Sequence, residues 1–147
     1  MKNIFLTLGF LLSAIITSAQ YKEADLEGKE WITSEENDFN NIMTITRVFT
    51  SNTLHETVEI KGTNTSKSEQ EYKWYLSNKT EDSFDENKIG KNTTGNYLVI
   101  RNFNNSAFVC KIVELTTEKM IILPATQKNS IRIASVSVSP IVFIRKK

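Results

Sequence analysis

Two residue types that enzymes and metal sites lean on are almost missing from this chain. It has one cysteine, Cys110, and one histidine, His55. A structural zinc site needs such residues in clusters, so one of each excludes it. A single thiol also excludes an internal disulfide. Cys110 lies in the apolar run Phe108-Val109-Cys110, where a thiol behaves as a small buried hydrophobe. Proline is equally scarce: Pro124 and Pro140 both end apolar runs late in the chain. No Pro-rich linker and no internal repeat divides the 147 residues, a length that suits one domain.

Long apolar runs are absent except at the start. Met1-Lys2-Asn3 is a short basic opening, Ile4 to Ile16 is almost wholly apolar, and Thr17-Ser18-Ala19-Gln20 supplies small residues for cleavage after Ala19. That layout predicts a signal peptide over residues 1–19 and a single exported domain over 20–147, secreted or periplasmic. The apolar run is shorter than the roughly 20 residues that span a bilayer, so no membrane span is expected after cleavage. No cysteine lies near the cleavage point to carry a lipid. Charge of one sign is missing too. Of 18 basic and 17 acidic residues, cleavage removes one lysine, which balances the mature domain and gives no pull toward nucleic acid or anionic lipid.

What is abundant is alternation with a period of two, the mark of half-buried strands. It recurs at Leu26–Thr33, Ile42–Thr50, Leu54–Ile60, Glu69–Ser77, Tyr97–Phe103, Ala107–Leu115, Lys119–Leu123, Ile131–Val138 and Ile141–Ile144. The parity of apolar residues changes between Ile133 and Val136, which predicts a β-bulge near Ala134-Ser135. Helix signals are weak, and the best is one turn capped by Ser34 in "SEENDFNN". The inventory predicts an all-β, antiparallel up-and-down barrel of about eight or nine strands with at most one short helical turn.

Gly28 and Trp31 in "LEGKEW", a meander of strands and a last strand ending at Arg145 resemble the lipocalin-like group. The resemblance is to its small exported Bacteroidetes-type members. It implies that Trp31 closes the barrel floor and that Arg145 packs across its ring, a contact of about 0.5–2 kcal/mol. Here the spacing is Gly-x-x-Trp where the group has Gly-x-Trp. On a regular strand one extra residue would turn Trp31 to the other face.

No catalytic constellation is recognisable. His55 alternates with apolar neighbours and is expected at the surface, and no strained nucleophile turn accompanies it. "DENKIG" matches three positions of a calcium loop, but Ile89 replaces a ligand and no helices flank it. "GKNTTG" lacks the phosphate-loop order and reads as a turn. Glu114, sharing parity with Phe108, Cys110 and Ile112, is the one acid expected to face the core. Three functions stay open. The first is a binding module for a small hydrophobic or amphipathic molecule. The second is a packed barrel that presents the long 78–96 connection to a protein partner, and the third is a hydrolase of unknown type. No cofactor or metal is implied. If a cavity exists, the expected lining is Phe49, Tyr72, Trp74, Tyr97 and Phe108, with Arg47 and Arg101 as the polar groups that orient a ligand.

Overall fold

A computed structural model describes residues 20–37, 40–63, 65–125 and 139–147. In chain order the elements are β1 (Tyr21–Lys22), α1 (Glu23–Leu26), β2 (Glu30–Glu36), β3 (Ile42–Phe49), β4 (Thr53–Lys61) and β5 (Ser66–Ser77), then a 3-10 turn at Glu86–Lys88. After it come β6 (Thr94–Gly95), β7 (Tyr97–Arg101), a second turn at Phe103–Asn105, β8 (Ala107–Leu115), β9 (Lys119–Pro124) and β10 (Ile141–Arg145). Eight strands close into an antiparallel barrel in the order β10-β2-β3-β4-β5-β7-β8-β9, and β1 pairs with β6 as a separate ribbon. Among the described residues no helix is long and apolar enough to cross a membrane. The predicted signal peptide and the predicted bulge at Ala134-Ser135 both lie outside the described residues.

Closure depends on a short ladder in which Ile144 faces Ile32 and Arg145 faces Trp31. Once closed, alternation sends every second side chain inward. Trp31, Phe49, Leu54, Trp74, Leu76, Leu98, Cys110, Met120, Ile122 and Phe143 are all fully buried in one cluster. Gly28 lies before the strand, not within it. Its φ of +66° places it in the left-handed region, and its N–H donates to the Phe49 carbonyl at 3.0 Å. The turn therefore absorbs the extra residue between Gly28 and Trp31, and the indole reaches the interior. α1 plugs this end: Leu26 is fully buried, and its carbonyl accepts from Trp31 Nε1 at 3.3 Å.

The helical turn thus occurs at Glu23–Leu26 and not at the expected Ser34. Ser34 belongs to β2, and its hydroxyl bonds that of Thr44 across the ladder at 3.0 Å. The β2–β3 pairing runs in full from Glu30↔Val48 to Glu36↔Ile42. Seven ladder pairs outweigh a cap that would order a single turn. Similarly, β5 starts at Ser66, earlier than its apolar residues, because β4 supplies a partner for each of these polar positions.

The 78–96 connection is not a free arm. Phe84 inserts against Tyr75, Val99, Ala107 and Val109 on the outer wall, with Ile89 and Tyr97 beside them. Lys88 bonds Glu81 at 2.8 Å and lies 5.7 Å from the Tyr75 ring centroid. Burial works to raise the Glu81 carboxyl, but hydrogen bonds from Lys88 and Ser77 outweigh it and hold its pKa below the ordinary value. The loop then crosses the end of β5 at Gly95, where a Cβ would stand 2.3 Å from the Ser77 carbonyl oxygen.

That contact is with backbone and cannot yield by rotating a side chain. Gly95→Ala is therefore expected to lower stability by about 1–3 kcal/mol in urea unfolding. Gly28→Ala meets no atom within 4 Å but keeps a positive φ, and is expected to cost about 1 kcal/mol. Equal stability of Gly95→Ala and the parent would show that the crossing is looser than described.

Candidate functional site

The barrel is packed at its α1 end and opens where β5 and β7 part. β7 pairs with β5 only from Trp74 to Ser77, whereas β4 pairs with β5 from Ser66 to Lys73. Beyond Trp74 the wall therefore has a gap, bordered by the β7–β8 turn. A cavity of about 190 Å³ sits there. Its apolar wall is Leu54, Tyr72, Ile100 and Phe108, and its polar groups are Arg47, Glu56, Arg101 and Asn102. It adjoins an outer groove of about 680 Å³, with which it shares Tyr72, Arg101 and Asn102.

The dominant feature is a charge inside the barrel. Arg47 and Glu56 face one another across the β3–β4 ladder. Arg47 Nε donates to Glu56 Oε2 at 2.7 Å, with side-chain exposures of 10% and 15%. The guanidinium also lies over Phe143, 5.0 Å from the ring centroid. Arg47 Nη1 is buried and has no hydrogen-bond partner among the described residues. A buried charged donor left unpaired costs on the order of 1–3 kcal/mol or more, and this nitrogen is sealed among protein atoms and does not open to the cavity. Burial raises the Tyr72 phenol, Glu56 raises it further, and Arg47 pulls it down. The Tyr72 hydroxyl donates to the side-chain amide oxygen Oε1 of Gln70.

The expected lining residues divide three ways. Arg47, Tyr72, Phe108 and Arg101 do surround the cavity. Phe108 is on the inner face but 37% exposed at the mouth. Arg101 reaches the rim from the outer face, held by Glu86 at 2.6 Å and Asn105 at 2.6 Å. Phe49 and Trp74 do not line it. They pack below as an edge-to-face pair, 5.0 Å between centroids, and Trp74 Nε1 donates to the Thr50 carbonyl at 2.9 Å. Tyr97, expected inside, lies on the outer wall with the cluster under the 78–96 loop. Arg145 stands opposite Trp31 in the ladder but is exposed, and the guanidinium–ring contact among the described residues is that of Arg47 with Phe143.

Glu114 is a further correction. The β8–β9 register shifts between Ile112 and Glu114, so Leu115, not Glu114, pairs with buried Met120. Glu114 is 40% exposed and bonds Lys119 at 2.9 Å, away from the cavity. His55 is at the surface, 3.5 Å from Glu71. Asp85 of "DENKIG" spends its carboxylate on the Asn87 N–H at 3.0 Å, as a turn cap. Among the described residues no three His, Cys, Asp or Glu side chains gather as a metal site requires.

Two residues at the cavity had a readable signal. Glu56 shares the parity of Leu54, Val58 and Ile60, as Arg47 shares that of Ile45 and Phe49. Each polar interruption stands three residues from its end of the Thr50–Thr53 turn, so hairpin register brings them face to face. Ile100 and Asn102 carried no comparable mark.

Breaking the pair leaves one charge buried. Arg47→Met is expected to lose about 3–5 kcal/mol of stability, and the double variant Arg47→Met with Glu56→Leu to recover most of it. Additive losses in that double-mutant cycle would deny the pair. The Cys110 thiol, fully buried, gives a second test. Burial pushes its pKa up from 9.0 to about 11, against a smaller lowering by Arg47. Between those values the folded state holds a proton that the unfolded state has lost, so stability falls as pH rises through that window. Cys110→Ala is expected to flatten that fall in pH-dependent urea unfolding; an unchanged slope would contradict it.

Comparison with known proteins finds no family model, no curated protein and no solved structure that matches this chain.

Proposed function

We propose that this is an exported, lipocalin-like binding protein that holds a small amphipathic molecule at the mouth of its barrel. One observation carries the reading: a cavity of about 190 Å³ at the barrel mouth, where Leu54, Tyr72, Ile100 and Phe108 stand against Arg47, Glu56, Arg101 and Asn102. Eight-stranded barrels have interiors that are either filled by side chains or hold one small ligand. This one divides the two outcomes along its axis, packed from Trp31 to Ile122 and hollow beside Arg47. The apolar wall supplies affinity by burial, at roughly 25 cal/mol per Å², and the polar groups supply orientation. Export is supported by the leader-like residues 1–19.

The cavity sets the size of the ligand. At about 30 Å³ per water it has room for roughly six water volumes, below the range of about 300–1,000 Å³ that takes drug-sized molecules. A short-chain amphiphile fits, or one whose remainder runs into the adjoining groove between Lys73 and Asn104.

Thermal unfolding with a panel of short-chain acids, amides and alcohols tests the reading. At about a hundred times its Kd a ligand adds about 2.7 kcal/mol, a shift of several degrees. Phe108→Trp, a change at a half-exposed mouth position, is expected to fold normally and to lose the shift by filling the cavity. A flat melting temperature across the whole panel would count against a ligand site.

A further inference from the structure

Resting on that reading, we propose that the amphipathic ligand is a short extended peptide, added as a strand to the open edge of β5 with an aliphatic side chain in the cavity. The edge follows from the ladders. Thr50 N–H donates to the Thr53 carbonyl at 2.8 Å, so Thr53 turns its backbone groups toward β3. Leu54, Glu56, Val58 and Ile60 therefore turn theirs toward β5, where an unbroken register sets them against Tyr72, Gln70, Ser68 and Ser66. The odd-numbered residues of β5 point their N–H and C=O groups the other way. Ser77 is one of them, and its carbonyl accepts from Asn96 N–H, just before β7, at 3.0 Å. Lys67, Glu69 and Glu71 point to the same side, but the β5–β7 ladder stops at Trp74. Among the described residues no strand pairs with them there.

The open edge borders the outer groove of about 680 Å³, with Gln70, Glu71 and Tyr72 on one bank and Asn102, Asn104 and Asn105 on the other. A groove with two banks admits a single strand, whereas the edge of a second barrel would drive its own wall into the β7–β8 turn. Lys67 to Glu71 covers roughly 16 Å of strand, room for a peptide of about five residues. Charge does not bar the edge: Lys67 is paired with Glu69, and Glu71 lies 3.5 Å from His55. Main-chain bonds to such an edge supply affinity, and alternate side chains supply selection. Every second peptide side chain turns inward, toward the cavity walled by Leu54, Ile100 and Phe108. A charged side chain would enter it unpaired, because Arg47 already holds Glu56 at 2.7 Å and Arg101 holds Glu86 at 2.6 Å. At about 190 Å³ the cavity takes one leucine-sized side chain.

The test is isothermal titration of the protein with acetyl-Thr-Leu-Thr-Leu-Thr-amide and with octanol. When both leucines turn inward, the central threonine N–H faces β5 and the leucine N–H groups face away. N-methylation of the central threonine is expected to weaken binding at least about tenfold more than N-methylation of a leucine. Hydrogen exchange gives a second readout. The Lys67, Glu69 and Glu71 amides are expected to exchange freely in the protein alone and to slow about tenfold or more under saturating peptide. Equal losses from the two methylations, or slow exchange of all three amides before peptide is added, would overturn strand addition. Octanol binding without peptide binding would overturn the peptide assignment and leave the ligand site standing. Binding of neither would remove the ligand site itself.

Discussion

Closing eight strands into a barrel fixes which residues face inward, and one of them is an arginine. The ladder that completes the barrel is short, Ile144 on Ile32 and Arg145 on Trp31, yet it determines the surroundings of every alternate side chain. Arg47 cannot turn away without shifting its strand by one residue, which would bring Phe49 and Ile45 out with it. The fold therefore tolerates a buried guanidinium, offsets it with Glu56 and Phe143, and leaves Nη1 without a hydrogen-bond partner among the described residues. The packed floor and the hollow mouth follow from that constraint.

The two ends of the barrel differ for a local reason. At one end α1 and the Gly28 turn bring Leu26 and Trp31 across the opening, and large side chains fill the space to the level of Phe49 and Trp74. At the other end β7 stops at Arg101 while β5 continues outward to Ser66. The missing ladder pairs produce the gap. The ends thus differ in packing: the floor is stabilised by burial, and the mouth retains a cavity beside the Arg47–Glu56 pair.

Much of the fold was legible in the alternation of apolar residues. The strand starts and ends at Ile42, Leu115 and Lys119 are close to those observed, and Cys110 is buried as its neighbours implied. Parity failed where its premise failed. On β7 both faces are apolar, because the 78–96 loop covers the outer one. Alternation could not tell Leu98 and Ile100, which face in, from Tyr97 and Val99, which face out. At Val113 an irregularity reverses the pattern, and no Gly or Pro announces it, so Glu114 looked inward-facing on paper. The site was half legible: Arg47 stood out as a charge on an apolar face, but pairing it with Glu56 required the hairpin register. The gap between β5 and β7 depends on where ladders end, which composition does not encode.

The central claim is that barrel closure buries the Arg47–Glu56 pair. Nitrogen-15 spectra of the arginine side chains address it directly. The account predicts an Arg47 Nε–H resonance shifted downfield by its bond to Glu56 and protected from exchange with water. An Arg47 Nε–H that exchanges as fast as that of exposed Arg145 would contradict it.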